Sequence, residues 1–428
     1  MKTICKLGIS IAFIISGFNV NADTLEDVDF FEAGGNYYCY PWLGKTPPAQ
    51  TPAPQGYVPF HLEHYGRHGS RWLIGDSQYD RAYELMQKAH NAGKLTPLGE
   101  EVLDVVILAR DEFKKGRDGE LSDKGAIQHQ EIGRRMVENY PEIFTPETNI
   151  DARSTVVIRS ILSMFNGLNG IKSLVPDIKI KTDASRADMW YMDADDELGW
   201  QLEDRADSIY MGAFREKHAN KGEYFNKIFN DQQYARDSIG DKLFNSLFSV
   251  LVNTQSHYAQ PWITDLVFTL QEARERWLNR NANWFLSSGN SKITDNHQPF
   301  SQRNILLNII ESADSAVNSQ SKSVNLRYGH DTIVFPLTCL MELNDYGQEI
   351  NDLEDLASLG WHDYKVVPMG ANIQMIFYRP EGQNEYKTEY VLVKVLLNEE
   401  EMRLPVASDQ APYYNWNDLR NYYLDKLN

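Results

Sequence analysis

The stretch HLEHYGRHGSRW, His61 to Trp72, sets three of the chain's ten histidines in one short run. Residues 57–65 mix apolar and polar side chains as a strand does, and Gly66 and Gly69 mark a sharp turn after them. Two chemistries compete for this turn. The spacing of His61, His64 and His68 suits a metal ion. Arg67-His68-Gly69-Ser70-Arg71 instead places two guanidinium forks around one imidazole, and such forks match phosphate oxygens. Arginines this close repel a cation, and a metal site wants more carboxylates than the single local Glu63. The anion reading is the stronger one. It makes His68 a nucleophile or ligand and Arg67 and Arg71 phosphate contacts, and Gly69 lets the backbone approach closely. A helix opening after the turn would add free N–H groups. The bland alternative is a surface turn with solvated arginines. His61 and His64 are then strand side chains, one of them lining the pocket.

A second stretch, LRYGHDT from Leu326 to Thr332, also follows a strand-like run with a glycine. His330 beside Asp331 suits a phosphate contact next to a proton donor. Alone the pair is a weak signal. Arg159 lies between the two stretches, in the early turns of a helix expected from a cap at Ser154 or Thr155 to about Leu168, with Gly167 and Gly170 near its end. The three together point to a phosphate site beyond the carboxyl ends of strands, where open α/β sheets bind ligands.

Further along, Thr96 and Ser122 are expected N-caps, with Pro97 in a first turn that tolerates it. Residues 150–152 read as a short strand. Thr46 to Gly56 reads as an extended Pro-rich arm. From about Ser185 to Asn296 the chain turns aromatic and charged. There Leu243, Phe244, Leu247, Phe248 and Leu251 fit one helical face, as do Ile263, Leu266, Val267 and Leu270. Strand patterns return at SVNLRYGHD and ANIQMIFYRP, and EYVLVKVLLN is expected to pair with the latter as a hairpin. The fold class is therefore α/β: a central mixed or mostly parallel sheet flanked by helices, with an inserted helical cap. The expected divisions are 1–22 leader, 23–184 core, 185–296 cap and 297–428 core.

The chain has 428 residues, 42% hydrophobic and 24% charged, which is a globular composition. Its formal charge of −18 argues against nucleic acid or an anionic membrane as partner. An anionic substrate must then be captured by a local basic pocket. Lys2 and Lys6, the apolar run from Leu7 to Phe18 and the small residues ending at Ala22 form the layout of a secretory signal peptide. The run is too short for a permanent membrane anchor. The mature protein is expected to be exported, periplasmic or secreted, with no obligate protein partner. Cys39 and Cys339 then remain, as a disulfide or as two buried thiols.

RHGSR (67–71), IRSILSMFNGL (158–168) and GHDT (329–332) resemble the histidine acid phosphatases, the second branch of the histidine phosphatase superfamily. LTPLGEE (95–101) and LSDKGAIQHQEIGRRM (121–136) are similar to its multiple inositol polyphosphate phosphatase group, and VLLNEEEMRLP (395–405) also resembles the family. The resemblance implies that His68 attacks phosphorus and becomes phosphohistidine. Arg67, Arg71, Arg159 and His330 bind the phosphoryl oxygens, and Asp331 protonates the leaving oxygen. It implies no cofactor, because arginines supply the positive charge. It implies a small phosphomonoester as substrate, with phytate and other inositol phosphates foremost.

Two departures stand out. Leu73 replaces a proline of the first motif, and His330-Asp331-Thr332 replaces the His-Ala-Glu of the inositol polyphosphate group. The His-Asp form is that of the other acid phosphatases and phytases, so a broad-range acid phosphatase acting on sugar phosphates or nucleotides is the nearest alternative. A phosphoglycerate-mutase-like enzyme fits the leader and cap poorly. A phosphate-binding protein would need the arginines but neither His68 nor Asp331. A metal-dependent hydrolase would lose activity in a chelator. Arg186, Arg215 and Lys217 are candidate contacts for distal phosphates, or solvated helix faces.

Overall fold

The computed structural model describes residues 27–319, 321–382 and 387–428. The expected leader, residues 1–22, lies outside them. The architecture follows from the central position of the first motif's strand. β1 (Tyr57–Arg67) pairs in parallel with β4 (Ser323–Gly329) on one side and antiparallel with β5 (Asn372–Pro380) on the other. Beyond β4 lie β2 (Asn149–Ser154) and β3 (Lys179–Asp183), all parallel. Beyond β5 lies β6 (Leu392–Leu397), which pairs antiparallel with β5 and with the short β7 (Glu400–Glu401) and β8 (Tyr414–Asn415). Among the described residues the sheet is thus mixed and eight-stranded, in the order β3-β2-β4-β1-β5-β6-β7 with β8 also on β6. Residues 150–152, 323–329 and the 372–397 hairpin form strands as expected.

β1 is buried on both faces although it carries His61, Glu63, His64 and Arg67. The polar residues are tolerated because most of them are paired. Glu63 accepts from Asn325 Nδ2 (2.7 Å) and Ser312 Oγ (2.6 Å), lies 2.8 Å from His61 Nε2 and forms an ion pair with Arg327. Apolar residues cover both faces. Tyr65, Met375, Phe377, Val393 and Val395 join one core, while Leu62, Ile150, Val324, Ile376 and Leu396 join the other. This two-sided burial explains why β1 shows no clean polar-out alternation.

α1 (Ser77–Asn91) and α2 (Pro97–Phe113) pack in the first core, and α3 (Asp123–Asn139) and α4 (Ile158–Leu174) against the second. Thr96 and Ser122 cap α2 and α3 as expected, accepting from Gly99 N and Gly125 N. The expected cap of α4 is not found. α4 begins at Ile158, and Val157 at its cap makes no side-chain bond. Ser154 Oγ donates to Thr155 O, and Thr155 Oγ1 lies 3.1 Å from His330 Nε2, so both hydroxyls are spent elsewhere. Gly167 and Gly170 do not end this helix, which runs on to Leu174. They let α3 come close: a Cβ on Gly170 would sit 2.1 Å from Gln130 O, and one on Gly133 would sit 2.2 Å from Gly167 O.

The segment after β3 is helical up to Ser288 apart from its connections. Its helix Lys242–Asn253 buries Leu243, Phe244, Leu247, Phe248 and Leu251 together, as the spacing predicts. The second predicted face does not hold. Residues Thr264–Val267 make one turn and Leu266 is half exposed, because Thr269 starts a new helix, Leu270–Ser288, with a reciprocal capping box to Glu272. Helices Arg303–Val317, Asp331–Leu340 and Trp416–Leu427 complete the fold. Among the described residues, no helix is long and apolar enough to cross a membrane. Cys39 and Cys339 are free thiols.

Candidate active site

The two motifs meet because their strands are neighbours in register. Arg67, last in β1, lies opposite Gly329, last in β4, and His68 N donates to Gly329 O at 2.9 Å. Residues 68–71 leave the strand in a turn pinned from α3 and α4. Gly69 N donates to Ser163 Oγ (3.1 Å), Ser70 N donates to Gln128 Oε1 (2.8 Å), and Ser70 O accepts from Ser122 N (2.9 Å). A Cβ on Gly69 would lie 2.5 Å from Gly125 O, so α3 can approach only a glycine here. The helix after the turn, α1, opens only at Ser77, with residues 72–76 irregular between them. Two other helices open at the site instead, α4 bringing Arg159 in its first turn and Asp331–Leu340 bringing Asp331.

His68 is buried, and its Nδ1 lies 3.0 Å from Gly69 O. A carbonyl only accepts, so Nδ1 carries the hydrogen and Nε2 keeps its lone pair. Burial, then Arg67, Arg71, Arg159 and His330, push its pKa well below the ordinary value, so the ring is neutral. Arg67 is fully buried. Its Nη1 donates to Asn36 O (2.6 Å) and Val367 O (2.5 Å), its Nη2 lies 2.7 Å from Asp331 Oδ2 as an ion pair without a hydrogen bond, and its Nε has no hydrogen-bond partner. Arg71 donates through Nη1 to Trp72 O (2.8 Å) and lies over the Tyr37 ring at 5.5 Å. Burial and the nearby Arg71 lower the pKa of Arg159, whose Nε is also unpartnered. Among the described residues, no carboxylate lies within ion-pair distance of Arg71 or Arg159.

The His330 ring meets the His68 ring edge-on, with centroids 5.7 Å apart. Burial and then Arg159 lower its pKa to about 4. Its Nε2 is also 3.8 Å from Asp193 Oδ2. Burial alone would raise the Asp331 carboxyl. Arg67, a hydrogen bond from Asn36 and Arg71 outweigh it and hold the group at about 2.

All six expected residues, Arg67, His68, Arg71, Arg159, His330 and Asp331, therefore gather at one place. His61 and His64 do not. They alternate to opposite faces of β1, His61 bonded to Glu63 and Ser323 and His64 with its ring tilted against Tyr328 at 5.0 Å between centroids, so the spacing that suggested a shared metal separates them. Among the described residues, no cluster of three or more His, Cys, Asp or Glu could hold a metal ion. Lys217 and Arg215 are paired with Glu354 and Asp207. Asn36, Thr155, Ser163, Gln128 and Asp193 touch the site and were not foreseen. The Gly34-Gly35 pair ahead of a polar Asn36 was the available signal for the first of them.

The model of the histidine phosphatase superfamily (branch 2) matches residues 101–398, and the chain belongs to that family. The matched segment contains Arg159, His330 and Asp331 and begins after the 67–71 turn. The protein is a phosphoric monoester hydrolase. Its fold is that of a Bifidobacterium longum multiple inositol polyphosphate phosphatase in complex with inositol hexasulfate, at 16% identity and TM-score 0.72 over 92% of this chain and 97% of that one. A phytase from D. castellii aligns at 14% identity and TM-score 0.65, covering 93% and 85%. A Hafnia alvei phytase aligns at 12% and 0.53, covering 88% and 98%. No curated protein sequence matches the chain.

Proposed function

We propose that the protein hydrolyses phosphomonoesters in two displacements at His68. Nε2 of His68 attacks phosphorus, a P–N bond forms, and the P–O bond to the alcohol breaks with its electron pair going to the leaving oxygen. Asp331 gives that oxygen a proton. Water then attacks the phosphohistidine, Asp331 takes its proton back, and phosphate leaves. The covalent step divides one difficult displacement into two easier ones. Arg67, through its free Nε–H, together with Arg71, Arg159 and His330, holds the equatorial oxygens, where a loose transition state carries its charge. Incoming phosphate brings negative charge beside Asp331, which raises its pKa and lets it hold the proton that the resting site denies it.

The observation that carries this reading is the His68 Nδ1–Gly69 O contact, which leaves Nε2 free beside three guanidinium groups. Transfer of a chirally labelled phosphoryl group to an alcohol acceptor tests it. Two in-line displacements retain configuration at phosphorus, whereas direct attack inverts it.

The substrates in this proposal are inositol polyphosphates, by likeness to the neighbours solved with inositol hexasulfate and myo-inositol hexakis sulphate. The helical segment 185–296 is the cap over the site, and residues 1–22 direct export. A mature N-terminus at Asp23 in protein recovered outside the cytoplasm tests the export claim. A second reading, a broad acid phosphatase for sugar phosphates or nucleotides, draws support from one feature. The carboxylates of Asp118 and Asp193 lie close enough to act on Arg159, and such acidic neighbours repel a substrate carrying many phosphates. Relative kcat/KM on phytate, a sugar phosphate and a nucleotide separates the two.

A further inference from the structure

Asn36 belongs to neither motif, yet it touches both. It lies in the short turn Glu32–Tyr37 and is buried. Its carbonyl oxygen accepts from Arg67 Nη1 at 2.6 Å, and its Nδ2 donates to Asp331 Oδ2 at 3.0 Å. Its Oδ1 accepts from Arg280 Nη2 at 3.2 Å. An arginine only donates, so Arg280 fixes which end of the amide is oxygen and therefore which end faces Asp331.

The backbone of this turn is fixed as well. Gly35 has φ 58°, and a Cβ there would sit 2.5 Å from Asp363 Oδ2. Asp363 is anchored by Trp277 Nε1 at 2.8 Å, and its own N–H donates to Asn281 Oδ1 at 2.9 Å. Trp277, Arg280 and Asn281 all lie on the helix Leu270–Ser288. One helix thus sets both the path of the turn and the orientation of the Asn36 amide.

The consequence falls on Asp331. Its Oδ2 lies 2.7 Å from a cationic guanidinium nitrogen and accepts an amide N–H at 3.0 Å, so a hydrogen of its own there would face the positive charge. A proton carried by this carboxyl falls to Oδ1, which accepts from the adjacent Thr332 N at 3.1 Å with one lone pair and keeps the other. We propose that Asn36, oriented by Arg280, is the positioning residue that keeps Oδ2 an acceptor and makes Oδ1 the proton-donating oxygen of Asp331. This rests on the reading of Asp331 as general acid.

The test uses the full-length enzyme and its Asn36→Ala, Arg280→Met, Asp331→Asn and Asn36→Ala/Asp331→Asn variants. kcat/KM is measured on an alkyl phosphate, which needs a proton on its leaving oxygen, and on para-nitrophenyl phosphate, which needs it far less. Asn36→Ala should lose about 10- to 30-fold on the alkyl ester and less than about 3-fold on the aryl ester, the scale of one hydrogen bond to a charged group. In the Asp331→Asn background the same change should cost less than about 2-fold, because the acid it positions is already gone. Arg280→Met leaves Asn36 in place and should show the alkyl-selective loss at roughly 3- to 10-fold. It decides the matter if Asn36→Ala does not fold. Equal losses on both esters, or an undiminished loss in the Asp331→Asn background, would overturn the positioning role. If Asp331→Asn itself fails to discriminate between the esters, the acid reading falls and this inference falls with it. If Asp331→Asn discriminates while Asn36→Ala and Arg280→Met do not, only the inference falls.

Discussion

Arg67 Nη2 lies 2.7 Å from Asp331 Oδ2, and this ion pair ties the end of β1 to the first turn of the helix Asp331–Leu340. It also keeps Asp331 ionised down to about pH 2 in the resting site. The proton for the leaving oxygen therefore arrives with the substrate as its monoanion, whose second ionisation lies near about 6. His68 is held neutral well below its ordinary range, and His330 is neutral above about 4. kcat/KM should be level from about pH 4 to about pH 6 and fall roughly tenfold per unit above that. A profile that climbs through pH 6.5, as an ordinary histidine loses its proton, would contradict this.

Replacing the acid should expose the leaving group. Asp331→Asn is expected to cost on the order of 10²–10⁴ in kcat on an alkyl phosphate and clearly less on para-nitrophenyl phosphate. Single-turnover rates are needed beside kcat, because slow product release hides the chemical step. KM for both esters should fall, since a negative charge has left an arginine-lined pocket. Matching losses on the two esters, with chemistry limiting, leave Asp331 as an orienting group only.

With the phosphoryl charge carried by Arg67, Arg71 and Arg159, activity on a phosphomonoester should survive exhaustive EDTA treatment. The decisive contrary result is loss in EDTA with recovery on adding one divalent metal. It would restore the cation chemistry that the spacing of His61, His64 and His68 first suggested.

Away from the site, Glu63 is buried and its carboxyl is held at about 2. Burial alone would raise it, and Arg327 and His61 outweigh that cost. Arg327→Met strands the buried carboxylate and should cost about 3–5 kcal/mol at neutral pH in denaturant titrations. The sign of the pH dependence follows from a folded value below the ordinary 4.5. The wild-type stabilisation is complete above pH 4.5 and fades as pH falls towards 2, while the variant relieves its stranded charge by protonation. The gap between the two should therefore narrow over that window. A gap that widens on acidification is incompatible with this pairing.

What could be read from the chain is what is encoded locally. Thr96 and Ser122 cap their helices within three residues, and the runs around 323–329 and 372–397 carry enough strand-forming residues to fix their state. Readings failed where a side chain's partner is distant in sequence. Ser154 and Thr155 have the chemistry of caps, but Thr155 turns to His330. Gly167 and Gly170 have the look of a helix end, but they serve the close approach of α3. The 263–270 pattern ran past Thr269, although Thr269 and Glu272 spelled a capping box. At the site, both motifs were visible because each is a short run at a strand end. Asn36 was not, because its bond to Asp331 spans 295 positions and exists only once the sheet brings β1 beside β4.

The nucleophile carries the whole account, and trapping it is the most direct test. The enzyme is mixed with labelled phosphomonoester, quenched rapidly under alkaline denaturing conditions, digested, and the phosphorylated peptide is sequenced by mass spectrometry. The label should appear on His68, as an acid-labile and base-stable adduct, and should be absent from His68→Ala under the same quench. Label on another residue, or an unchanged adduct in folded His68→Ala, would contradict the assignment.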